Sequence, residues 1–146
     1  MRFLVDANIL IYTRDYRDRG KQTVATRWMS LLAEREAAVV NLQVLNEVCQ
    51  VGLRKLVHLS AAEIGRWIED LSAFGDTPID IDVVKAAWPI HMRYRLSWFD
   101  CLILSSADRL GCSHVLTEDM GASRKIGSLL LVNPFTTHPG DVLIAS

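Results

Sequence analysis

The chain has 146 residues, half of them apolar, and a formal net charge of −1. That length suits one domain over residues 1–146, able to bury roughly 70% of the surface its unfolded chain exposes, so neither a disulfide nor a metal is needed merely to hold a core. The near-neutral balance argues against a surface coated in positive charge: nucleic acid would have to be met by a local basic patch, or a partner would have to supply charge.

Cys49, Cys101 and Cys112 are odd in number and show no CxxC pairing. This points away from a disulfide framework or a structural zinc site and towards a reducing cytoplasm. Met1-Arg2 leads straight into a run broken by Asp6, so no signal peptide is expected. No apolar stretch approaches the roughly 20 residues that a membrane span needs.

Phe3 to Val5 reads as a short apolar strand, followed by Asp6 and Asn8 inside "FLVDANIL". Lys21 to Glu36 carries Val24, Trp28, Leu31 and Leu32 at helical spacing. "AAVV" (Ala37 to Val40) is a second strand, and Asn41 is placed to cap a helix running to about Val57. Ser60, with Glu63 three residues on, is a capping-box pattern opening a helix to about Phe74, where Gly75 stops it. "TPIDI" (Thr77 to Ile81) reads as a third strand, and Asp82 to about Arg95 as a helix that Pro89 should kink. Ser97 begins a helix to Leu110, closed by Gly111. "HVLT" (His114 to Thr117) and "LLLVN" (Leu129 to Asn133) are the last strands, and 135–146 is a C-terminal tail.

Strands separated by helices imply an α/β fold with a parallel sheet covered on both faces. Ligands then bind beyond the carboxyl ends of the strands. Asp6, Asn41 and the pair Glu118-Asp119 all fall at such ends. Each acid also has a plainer reading. Asp6 and Asn8 suit a helix cap or a turn. Glu47 lies about 40° from Val51 on a helical wheel, at the edge of the apolar face and open to being a boundary residue. Asp100 could complete a capping box with Ser97. Yet Ile103, Leu104 and Ala107 lie within about 60° of it, on both sides. An ionised carboxylate in the middle of an apolar stripe is costly unless it is paired or coordinating. Glu118 and Asp119 alone would be a solvated acidic turn.

Jointly the pattern is sharper. If the sheet assembles as read, Asp6, Glu47, Asp100 and Asp119 converge on one crevice, where they would repel or hold protons unless a cation sat among them. Oxygen ligands without His or Cys companions favour Mg²⁺ or Mn²⁺. Such ions serve phosphodiester hydrolysis by lowering the pKa of bound water and neutralising phosphate charge. Asp6 is then a metal ligand, with Asn8 orienting it or the substrate.

With those residues in view, "FLVDANILIY", "NEV" around Glu47, "LSWFDCLILSSADRLGC" around Asp100, "VLTEDM" around Asp119 and "LVNPF" follow in order from Phe3 to Phe135. In these motifs the chain resembles the PIN-domain family and, within it, the VapC-type ribonuclease toxins. The resemblance implies a three-layer α/β/α fold and a Mg²⁺- or Mn²⁺-dependent endoribonuclease. It places the family's acids on Asp6, Glu47, Asp100 and Asp119, its polar helper on Asn8 and its hydroxyl residue on Thr117, with Glu118 as an extra ligand or supporting group. It also implies a homodimer neutralised by a small antitoxin that enters the active-site groove, for which the helices from Lys21 to Phe74 are candidates. Cys101 stands where many relatives carry Ala, and "MGASRKIG" after Asp119 departs from the usual loop.

Basic residues cluster in "YTRDYRDRGK" (including Arg14), in "HMRYR" (Arg93, Arg95) and in "SRK" (Arg124, Lys125). Each cluster is a candidate phosphate contact, with Tyr16 or Tyr94 stacking on a base, against the plainer reading of a solvated face. Other readings are a PIN nuclease of RNA maturation or of structured DNA, and a catalytically silent RNA-binding domain. A dehalogenase-like phosphatase is set aside because the chain lacks a clearly placed motif lysine and a cap domain.

Overall fold

A computed structural model describes residues 1–121 and 123–143, and the last three residues of the tail lie outside it. The core is a five-stranded sheet of order β2-β1-β3-β5-β4. Its strands are β1 (Phe3–Val5), β2 (Ala38–Val39), β3 (His114–Leu116), β4 (Lys125–Ile126) and β5 (Leu129–Val132). β1 is fully buried along its length and sits between β2 and β3. The register sets Leu4 beside Val39 on one side and Val115 on the other, and Val115 beside Leu131. These four strands are parallel, and a strand covered on both faces needs the unbroken apolar runs they carry.

The helices are α1 (Ala7–Tyr12), α2 (Arg19–Glu34), α3 (Leu42–Lys55), α4 (Ala61–Leu71), α5 (Ile81–Tyr94), α6 (Trp98–Arg109) and α7 (Pro139–Val142). α6 packs against β3 and β5 with α5 alongside it, while α1 packs against α2 and α3, and α3 against α4. This is the α/β architecture expected, with a mostly parallel sheet flanked by helices. Most helix starts are set by caps that the sequence announces. The Asn41 side chain accepts from the Val44 amide at 2.9 Å, and its own amide donates to Ser106 Oγ at 2.8 Å in a fully buried position. Ser60 and Glu63 form the reciprocal capping box. Gly75, at φ 139°, closes the 3-10 turn that ends α4; a Cβ there would meet the Val40 carbonyl oxygen at 2.3 Å.

Three elements differ from the sequence reading. Thr77 to Ile81 is not a strand: its tie to this edge is one bond from the Leu42 amide, at the start of α3, to the Thr77 carbonyl. Pro78 has no N–H for a ladder, and Asp80 instead caps α5, accepting from the Val83 amide at 3.0 Å. Asp6 caps a six-residue helix, α1. β4 is antiparallel to β5, joined through Gly127 and Ser128, with Gly127 at φ 58° supplying the left-handed conformation such a hairpin turn needs. α5 continues through Pro89, and the tail folds back far enough to bury Leu143.

Candidate active site

In this strand order the chain leaves β1 towards β2 and later returns on β1's other side as β3, so the sheet's switch point lies between β1 and β3. Crevices form there, beyond the carboxyl ends. A cleft of about 1080 Å³ occupies the position, and its lining includes Asp6, Asn8, Glu47, Asp100 and Asp119. The structure thus brings together residues from the start of α1, the middle of α3, the first turn of α6 and the loop after β3.

Asp6 is the most confined. One carboxylate oxygen accepts from the Ala7 amide and the other from the Thr117 hydroxyl, each at 2.8 Å, and the residue is 6% exposed. Burial raises its pKa to about 6, reinforced by the charges of Glu47 and Asp100 and opposed by the two hydrogen bonds. Glu47 is raised by burial and by Asp100, while the Gln43 side-chain amide, donating at 3.1 Å, pulls the other way. Burial also raises Asp100, with Asp119's charge adding to it and the Ser97 hydroxyl opposing. The acids therefore act on one another through space, as the sequence arithmetic requires.

Asp119 is held by its neighbours. Its amide donates to Thr117 Oγ1 at 3.1 Å, and Asn8 Nδ2 donates to its carboxylate at 2.9 Å. Thr117 and Asp119 reach the Asp6–Asn8 side, whereas Glu118 turns away, accepting a hydrogen bond from Lys21 Nζ. Lys21 also lies over the rings of Tyr12 and Phe135, at 4.8 and 4.9 Å from their centroids. Glu118 does not line the cleft with the other acids.

Gln43 was not singled out by the sequence, although its place one turn before Glu47 is a readable signal. Its side chain donates both to Glu47 and to the Phe99 carbonyl, tying α3 to α6. Asp15 also lines the cleft but is held bidentately by Arg17, whose hydrogen bonds bring its carboxyl down to about 2. Of the proposed phosphate contacts, Arg14 lies over the Trp67 ring at 5.2 Å, outside the cleft lining. Arg95 is the exposed left-handed cap of α5, and Lys125 is exposed on β4. Tyr16 packs on His58, with ring centroids 4.3 Å apart.

Among the described residues no three His, Cys, Asp or Glu side chains stand together as a ready-made metal cage. The donor set nonetheless suits a hard cation. Its ligand atoms are carboxylate oxygens that raise one another's pKa, and two buried acceptors at the same cleft, Asn8 Oδ1 and Gln43 Oε1, have no donor. A hydrated divalent ion brings both positive charge and water donors to such a place. Asp6, Glu47, Asp100 and Asp119 are the residues that could hold it.

A mostly parallel sheet with a carboxylate cluster at its switch point defines an α/β protein built around an acidic centre. The sequence model of the PIN domain matches residues 3–126, and the chain belongs to that family. No curated protein matches it in sequence. Among solved structures it is similar to a toxin–antitoxin complex from Klebsiella pneumoniae, with a TM-score of 0.68 and 23% identity over 90% of this chain and 97% of that one. It is also similar to VapBC2 from Rickettsia felis bound to a promoter DNA fragment, with a TM-score of 0.66 and 14% identity over 90% and 97% of the two chains. A third is the Mycobacterium tuberculosis toxin VapC20, which cleaves the sarcin–ricin loop, with a TM-score of 0.59 and 17% identity over 77% and 86%.

Proposed function

We propose that this chain is a Mg²⁺- or Mn²⁺-dependent endoribonuclease that serves as the toxin of a toxin–antitoxin pair. The observation that carries the reading is the meeting of Asp6, Glu47, Asp100 and Asp119, from four separate stretches of sequence, on one cleft whose spare buried acceptors lack donors. A bound divalent ion would supply activated water and neutralise charge on the scissile phosphate. The protein's own part is positioning. Thr117 and Ala7 fix the two oxygens of Asp6, Asn8 holds Asp119, and Gln43 holds Glu47 against α6.

The antitoxin and a second copy of the chain are the partners this reading requires. Support for a protein partner comes from apolar side chains left in solvent: Leu42 and Phe99 at the cleft, and Trp88 and Met92 along α5. No described helix is long and apolar enough to cross a membrane.

The test is cleavage of total cellular RNA by purified, antitoxin-free protein with Mg²⁺ or Mn²⁺, beside Asp100→Asn prepared identically. Discrete fragments from the wild type alone are expected. Equal cleavage by both proteins, or none by either, would overturn the nuclease reading and favour a silent RNA-binding domain.

A further inference from the structure

Just beyond Asp119 the chain builds a second feature that the acidic centre does not use. Gly121, at φ 82°, turns the chain there, and the Arg124 side chain packs alongside it. The Arg124 guanidinium lies over the Tyr94 ring at 5.9 Å, and that of Arg93 over the same ring at 5.4 Å. Tyr94 is therefore a platform for two cations and not a free surface for a base. Neither arginine has a carboxylate within ion-pair distance among the described residues, and Arg124 Nε is a buried donor with no acceptor. Two guanidiniums on one ring without a carboxylate partner, one with an unused donor, suit an anion.

Arg93 and Tyr94 also border a cavity of about 390 Å³ between α5, α6 and the β4–β5 turn. Ala86, Ile90, Leu104 and Ile126 give it apolar walls. Polar character comes from Asp108, to which the Ser128 hydroxyl donates at 3.2 Å through one carboxylate oxygen, leaving the other for an outside donor. The volume is at the small end of ligand sites and suits a single nucleoside, not a duplex. Apolar walls with one carboxylate match an unpaired base whose exocyclic amino group can donate.

We propose that the Arg124–Tyr94–Arg93 ledge and this cavity form a second subsite for single-stranded RNA. The two arginines hold phosphates of the strand leaving the acidic cleft past Asp119, and the cavity seats an unpaired, amino-bearing base. The proposal rests on the nuclease reading and adds to it a preference for substrate carrying an unpaired base away from the cut itself.

The test uses Asp100→Asn as the parent, with Mg²⁺, so that bound RNA stays whole. Binding of fluorescein-labelled oligocytidylate and oligouridylate is followed across a salt series. In the double variant Arg93→Gln/Arg124→Gln, the slope of log affinity against log salt should fall by about 1.4, two phosphate contacts at roughly 0.7 each for a single strand. Ala86 is exposed on α5, so Ala86→Leu fills the cavity without disturbing the core. It should weaken oligocytidylate binding about tenfold at unchanged slope, and oligouridylate binding much less. A parent that binds RNA while both variants bind equally well overturns the subsite alone. If the parent binds neither oligonucleotide, the nuclease reading falls and the subsite with it. Variants that keep RNA but lose a protein partner would make the cavity a protein dock, which also overturns the proposal.

Discussion

Asp6 should make the metal-free protein less stable than it would be without that charge. Folded, its carboxyl titrates at about 6, against 3.8 for an ordinary aspartate. Between those values the folded chain keeps a proton that the unfolded chain releases. The favourable contribution is complete below about pH 4 and is lost as pH rises through about 6. A shift of about 2 units corresponds to roughly 3 kcal/mol at neutral pH. The group is almost wholly buried, so solvent screening relieves little of this. Asp6→Asn removes the charge and keeps an acceptor for the Ala7 amide, but deprives the Thr117 hydroxyl of a carboxylate partner, at a cost of about 1–2 kcal/mol. The net expectation is a gain of about 1–2 kcal/mol near pH 7.5, or some 3–6 °C in Tm for a chain of this size. Thermal unfolding in EDTA across about pH 4 to 8 reads it directly, and the gain should vanish at the acid end. Were Asp6→Asn no more stable near pH 7.5, or were its offset the same at every pH, the charge conflict assigned to Asp6 would be refuted.

Other expectations follow from the same geometry. Mg²⁺ should raise the Tm of the wild type by mass action near pH 7.5, less so below about pH 6 where Asp6 is protonated, and should leave Asp6→Asn almost unmoved; equal Tm shifts in both proteins would remove Asp6 from the metal site. Thr117→Val deletes the hydroxyl that favours the Asp6 carboxylate, so the acid limb of the cleavage–pH profile should move up by about one unit. An unmoved limb would show that the hydroxyl does not tune Asp6. Gly75→Ala must place a methyl group 2.3 Å from the Val40 carbonyl oxygen at φ 139°, and should lower the urea midpoint by the equivalent of more than about 2 kcal/mol with an unchanged slope. A variant that unfolds at the wild-type midpoint would show that the turn yields without cost.

Much of this was legible because local chemistry and tertiary placement agree. Asn41, Ser60 and Ser97 cap the helices their sequence contexts announce. Asp100 reads as out of place in the apolar stripe of α6 because its wheel neighbours are buried, and the structure turns it into the cleft. The misreadings have equally local causes. "TPIDI" alternates like a strand, yet Pro78 lacks the donor and Asp80 is a stronger helix start than Asp82. α1 is too short for helical periodicity to emerge from "ANILIY", which is apolar at nearly every position. β4 exists only through pairing with β5, a fact of tertiary structure. Glu118 is adjacent to Asp119 in sequence, but its direction is set by the loop after β3 and by Lys21, neither of which local pattern reveals.

Three of the cleft's acids, Asp6, Asp119 and Glu47, are held in two hydrogen-bonded sets. Asp6, Thr117, Asn8 and Asp119 form one chain of hydrogen bonds that joins the start of α1 to the loop after β3. Glu47 and Gln43 form another, anchored on α6 through the Phe99 carbonyl beside Asp100. Between the sets the interaction that bears on the carboxyls is repulsion, visible in the upward push of Glu47 and Asp100 on Asp6 and of Asp119 on Asp100. Each set is thus rigid within itself and opposed to the other. On the proposed reading this is the useful arrangement: hydrogen bonds fix the direction of Asp6, Asp119 and Glu47, while the unfavourable contact between the sets is left for a cation to convert into attraction. A cleft held together without the cation would have no such energy to release on binding it. The same reasoning explains why Asp15, already neutralised by Arg17, lines the cleft without joining either set.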